Sequence, residues 1–93
     1  MILFRRLSVE FRWSEIKNKR LKKLRNITFN EILNAKLILD YSHPKIENQR
    51  LMLFEYKNYI WVVPYVEEKN YNFLKTIYPS RKLTQKYRRG ELL

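Results

Sequence analysis

The residues best suited to chemistry cluster at the end of the chain: Tyr78, Pro79, Ser80, Arg81 and Lys82, with Lys86 one helical turn further on. Between Lys69 and Gly90 there are seven Lys or Arg residues and no Asp or Glu. Pro79-Ser80 reads as the junction between a strand and a final helix, so Arg81 and Lys82 would be aimed from a helix N-terminus with Tyr78 beside them. A positive side chain there opposes the helix dipole, and an anion recruited to the same place reverses that penalty. The chemistry that fits is on a phosphate ester. RNA can be cut by its own 2′-hydroxyl attacking the adjacent phosphorus, which asks the protein for positioning, proton transfer and stabilisation of charge on the phosphoryl oxygens. Arg81 would meet that charge. Tyr78, His43 and Lys86, in that order, are the candidates to move protons; His43 is the sole histidine and the one side chain whose ordinary pKa suits transfer near neutrality. Lys17, Arg20, Lys75 and Lys82 are candidates to hold flanking phosphates. Lys17 and Arg20 qualify because both fall inside the apolar arc expected on the first helix, where a cation must snorkel outward or meet an anion.

Composition restricts the partner. Twenty Lys plus Arg against nine Asp plus Glu give a formal charge of +11, which concentrates polyanions and favours nucleic acid. Thirteen of the twenty cations fall in two groups, Lys17 to Arg25 and Lys69 to Arg89. If the two helices carrying them flank the sheet, they would border one groove lined with aromatics, the pairing that phosphates and stacked bases require. With no cysteine and one histidine, disulfides, thiol nucleophiles and zinc sites built on thiolates or several imidazoles are excluded. There is no Gly-rich phosphate loop, no carboxylate cluster for magnesium and no serine hydrolase elbow, so neither metal nor cofactor is expected. The longest apolar run, Tyr59 to Val66, is interrupted by Pro64 and falls far short of the ~20 residues of a membrane span. The start lacks the apolar length of a secretory signal, so the protein is expected in the cytoplasm.

At 93 residues and 45% hydrophobic content the chain suits one domain with one modest core. Arg5 to Trp13 partly alternate and read as a half-buried strand. Ser14 caps a helix from about Glu15 to Leu24, with Trp13, Ile16, Leu21 and Leu24 on one arc. Thr28 with Glu31 forms a capping box, and Ile27 with Ile32 a hydrophobic staple, opening a second helix expected to reach Leu39. A loop from Asp40 to Gln49 holds His43. Arg50 to Tyr56 and Tyr59 to Val66 form a hairpin around Lys57-Asn58, Pro64 placing the second strand at an edge or a bulge. Trp61 and Phe73 are expected in the core. A strand from Tyr71 to Tyr78 leads to the last helix, capped by Ser80 and ended by Gly90. The predicted fold is α+β, a single domain of order β-α-α-β-β-β-α with an antiparallel sheet flanked by helices.

Trp13-x-x-x-Lys17, Ile27-Thr28-Phe29-x-Glu31, the hairpin, and Ser80-Arg81-Lys82-x-Thr84, in this order and register, resemble the BrnT-like toxins of bacterial toxin–antitoxin pairs, in the broader RelE-like group of ribonucleases. The resemblance covers about residues 11 to 89. It implies a ribonuclease of that strand and helix order, acting on messenger RNA with or without the ribosome, and silenced by a cognate antitoxin that often binds DNA. The family's tryptophan and lysine fall on Trp13 and Lys17, and its arginine on Arg81. Its usual His-Gly before the second helix is Arg25-Asn26 here, the small residues before its arginine are Pro79-Ser80, and its last-helix glutamate is Tyr87. The charge of this chain implies an acidic segment in such an inhibitor. The alternatives are a non-catalytic basic RNA-binding module, which needs the same charge and aromatics, and a basic adaptor for acidic proteins.

Overall fold

The computed structural model describes the backbone of residues 2–6 and residues 9–92 in full. It is a single α+β domain with three helices and one mainly antiparallel sheet. The elements run β1 (Ile2–Arg6), β2 (Val9–Trp13), α1 (Glu15–Arg25), α2 (Phe29–Leu33), β3 (Lys36–Ser42), β4 (Gln49–Tyr56), β5 (Tyr59–Glu67), β6 (Asn72–Leu74), β7 (Tyr78–Pro79) and α3 (Arg81–Arg88). The predicted class and the broad order hold, with extra strands. The sheet order is β1-β2-β6-β5-β4-β3, with β7 pairing β5 beyond β6, and the contact between β2 and β6 is parallel. Among the described residues no helix is long and apolar enough to cross a membrane.

Alternation along β4 and β5 separates two apolar layers. Met52, Phe54, Val63 and Tyr65 face α1 and α2, packing on Leu21, Ile27, Phe29, Ile32 and Leu33 with Trp13 stacked on Phe29. Leu51, Leu53, Ile60 and Val62 face the other way, under Leu83 and Tyr87 of α3 and against Ile38, Leu39 and Tyr41 of β3. Helices therefore cover both faces of the sheet. Of the two aromatics expected in the core, Trp61 is half-buried against the first layer and Phe73 is half-buried on β6.

The expected caps form. Thr28 Oγ1 accepts from the Glu31 N–H at 3.2 Å and Glu31 Oε1 accepts from the Thr28 N–H at 2.9 Å. The staple pair Ile27 and Ile32 is fully buried. Ser14 and Ser80 cap α1 and α3. Lys57 and Asn58 both take positive φ, the left-handed pair that a tight hairpin needs, and Gly90 ends α3 at φ +70°.

Three boundaries differ from expectation. The second helix stops at Leu33 and the loop expected from Asp40 begins only after Ser42, because Lys36–Ser42 joins the sheet as β3. Leu37 pairs with Phe54 and Tyr41 with Leu51, so a partner strand outcompetes helical propensity, with a register shift between Leu37 and Leu39. The first strand is a hairpin, β1 opposite β2; Leu7 and Ser8 lie outside the described residues. The strand expected from Tyr71 to Tyr78 is broken into β6 and β7, and Pro64 explains the break. β5 is central in the sheet, yet at Pro64 its side toward β6 and β7 has no ladder partner: Tyr65 pairs with Leu74 and Val62 with Tyr78, a one-residue slip that fits the expected edge or bulge. The Ile60 N–H and C=O bond residues of the β7–α3 side, and Pro64, four residues on, shares that orientation. Its carbonyl accepts from Lys75, but it has no N–H to give, and pairing lapses there.

Candidate functional site

The segment from Ile77 to Thr84 is fastened at several points. Ile77 is fully buried, and its carbonyl accepts from Arg25 Nη1 at the end of α1. Tyr78 pairs with Val62 and Pro79 with Trp61. The Ser80 N–H then donates to Ile60 C=O at 2.9 Å, and Ser80 Oγ accepts from the Leu83 N–H at 3.1 Å. Thr84, almost wholly buried, closes the set: its hydroxyl accepts from the Ile60 N–H at 2.8 Å and donates to Ser80 C=O at 2.7 Å. The edge groups of Ile60, near the start of β5, are thus satisfied by the first turn of a helix in place of a strand.

This frame presents Tyr78 and Arg81 outward. Tyr78 is 37% exposed, and Arg81 and Lys82 open α3 on the surface. No described residue forms an ion pair or hydrogen bond with the Arg81 side chain: Glu91 is held by Arg89, Glu31 by Lys22, Glu10 by Arg12 and Asp40 by Arg50. Arg81 sits without a counter-charge at a dipole end that disfavours it, as an anion-receiving arginine must. Lys86 leaves α3 about 140° around the axis from Arg81, at 100° per residue, so the two cations flank opposite sides of the helix.

Tyr41 carries a signal that the sequence did not yield. It packs on the layer of Leu51, Leu53 and Val62, the face of β5 to which Tyr78 is paired at Val62. Burial raises the Tyr41 phenol pKa, and the charge that Tyr78 would carry raises it further, so the two phenols share one electrostatic environment. Only the β3 register brings Tyr41 here, which is why a helical reading of this segment concealed it.

His43 lies apart in a different role. Its Nδ1 accepts from the N–H groups of Lys45 and Ile46, each at 3.0 Å, and its own N–H donates to Gln49 C=O, closing the β3–β4 turn. Its Nε2 alone is left for further bonding. Lys75 is exposed in the gap between β6 and β7. Lys17 and Arg20 belong to α1, on the opposite face of the sheet from α3, so the two basic clusters do not border one groove. Lys17 is half-buried and Arg20 exposed. The α1 arc is also rotated from expectation: Asn18 and Leu21 are buried, while Ile16 and Leu24 are 73% and 72% exposed. Asn18 Oδ1 takes the Phe29 N–H at 2.8 Å, and this buried bond turns α1 toward α2. Arg25 is the α1 cation that reaches the β7 side.

Among the described residues no group of three or more His, Cys, Asp or Glu is arranged to hold a metal ion. Comparison with known protein families, with curated proteins and with solved structures gives no match to this chain.

Proposed function

We propose that this chain is a cytoplasmic endoribonuclease toxin of the BrnT-like kind, cutting messenger RNA by attack of the 2′-hydroxyl on the neighbouring phosphorus and silenced by an antitoxin with an acidic segment. The carrying observation is Arg81: first residue of α3, exposed and unpaired with any described acid, three residues from an exposed tyrosine. Arg81 stabilises the charge that grows on the phosphoryl oxygens, and Lys82 beside it holds a flanking phosphate. Tyr78, exposed on β7 close in sequence to Arg81, is the preferred group to give a proton to the leaving oxygen. His43, held in the β3–β4 turn, and Lys86, on the other side of α3, stand away from this pair. Lys17, Arg20 and Lys75 serve the strand at a distance, through charge.

Inducible expression of the wild type and Arg81→Ala, with growth scored and RNA ends mapped, tests the assignment. The variant should cut about 100-fold more slowly or worse and relieve growth arrest. Equal arrest by both proteins, or no new RNA ends from either, sinks it. A second reading, a non-catalytic RNA-binding module, is favoured by the engagement of His43 Nδ1 in a turn and by the divergence of Lys86 from Arg81. It predicts purified protein that retains RNA without ever shortening it.

A further inference from the structure

A cleft of about 450 Å³ lies between the end of the β4–β5 hairpin and the last two turns of α3. Its lining combines a carboxylate, Glu55, with the phenols of Tyr59 and Tyr87 and the guanidinium of Arg88. Glu55 Oε1 accepts from the Tyr87 hydroxyl at 3.0 Å, which fixes the carboxylate, while Oε2 is bonded to no described residue. Arg88 Nη2 donates to Asn58 C=O at 3.0 Å, leaving the other guanidinium N–H groups available. The Ile60 backbone in the cleft wall is already satisfied by Thr84 and Ser80, so the charged groups with hydrogen bonding to spare in the lining are Glu55 and Arg88, beside the side chains of Asn58 and Tyr59.

We propose that this cleft receives a guanine base of the bound RNA strand, with Glu55 accepting from its N1–H and N2–H groups; the proposal rests on the RNA reading above. A carboxylate offers two acceptors side by side, and guanine alone among the four RNA bases presents two adjacent donors on its pairing edge. Adenine and cytosine set one donor beside an acceptor, and uracil flanks its single donor with two carbonyls, so each turns a lone pair toward the carboxylate. Oε1 retains a second lone pair after taking the Tyr87 hydroxyl, so both oxygens can serve the base. Tyr59 and Tyr87 supply apolar ring surface for the base, and Arg88 at the rim takes a phosphate. Seven residues separate Arg81 from Arg88, so they stand on one stripe of α3 about 10 Å apart along its axis. A strand following that stripe lays a base in the cleft and a backbone phosphate at Arg81.

Titration of the full chain with each of the four nucleoside 5′-monophosphates, followed by amide chemical shifts, tests this. Guanosine monophosphate should bind about tenfold more tightly than the other three, with shifts at Asn58, Tyr59, Thr84 and Arg88. Glu55→Gln, which keeps an acceptor for Tyr87 but replaces one oxygen with a donor, should erase that preference. Arg81→Ala should leave it in place. Equal binding of the four nucleotides by the wild type, or an unchanged preference in Glu55→Gln, overturns the proposal without touching the assignment of Arg81. Guanine preference in a protein that never cuts RNA would instead uphold the cleft and defeat the ribonuclease reading.

Discussion

The two basic helices carry similar charge on very different mounts. α1 brings six cations over eleven residues, buries little beyond Asn18 and Leu21, and turns Ile16 and Leu24 to solvent among Lys19, Arg20 and Lys23. α3 brings four cations over eight residues, but Thr84 and Ser80 bind it to the β5 edge, and Tyr87 reaches across to Glu55. Charge on a helix surface costs little and specifies little. A cation gains chemical meaning from what holds its backbone and from what stands beside it. By that measure α3 is the better-fixed of the two mounts, which is what the proposed reaction at one phosphate would need. Under the proposed function, the mixed aliphatic and basic face of α1 would be the place for the acidic segment of an inhibitor.

The contrast can be broken at several points. Its largest test sets Arg81→Ala against Lys19→Ala/Lys23→Ala in an RNA-cleavage assay. The first should abolish most of the rate, whereas the second should change it no more than about threefold at low salt and lessen the salt slope of RNA binding by about 1. Comparable losses would erase the distinction. Next in size is stability. Thr84→Val leaves the buried Ile60 N–H without its acceptor and should cost about 2 kcal/mol in denaturant unfolding, while Leu24→Ser, on the open face of α1, should stay within about 0.5 kcal/mol. Loss of stability on Leu24→Ser would mean that this face is already covered. Ile16→Ser/Leu24→Ser should leave RNA cleavage intact yet weaken capture of an acidic inhibitor about tenfold, as isothermal titration would report. The smallest effect is on pH. Burial would raise the Glu31 pKa, but bonds from the Thr28 hydroxyl and amide and the charge of Lys22 outweigh it and hold the group below its ordinary value. The folded pKa being the lower one, its contribution is present above pH ~4.5 and fades as pH falls through the folded value. Glu31→Gln should therefore flatten the acid limb of stability slightly. Tyr41 runs the other way: its raised phenol pKa keeps its contribution intact below pH ~10 and loses it in more alkaline solution, which a 295 nm titration would follow.

Local signals were legible in the sequence wherever a few neighbouring residues decide the structure. Ser14, Thr28 with Glu31, Lys57-Asn58 and Ser80 each satisfy or bend the backbone within four residues, and each sits where its spacing placed it. The misplacements are all long-range. Lys36–Ser42 has the apolar content of a helix continuation and becomes a strand because β4 offers a partner, from Arg50 opposite Ser42 to Glu55 opposite Lys36. The rotation of α1 depends on Asn18 meeting Phe29, a bond that no apolar periodicity announces. In the candidate site, Arg81 and Tyr78 could be named from a junction and a charge run. Tyr41 and the Glu55 cleft could not, since each exists only through strand register.

Thr84 has a kinetic consequence. One hydroxyl serves the sheet and the helix at once, so α3 cannot lift away without exposing both edge groups of Ile60 in the same event. The amides of Ile60 and of the first turns of α3 should therefore exchange with solvent deuterium as a single opening unit, and the cleft beneath the helix breathes at that same frequency.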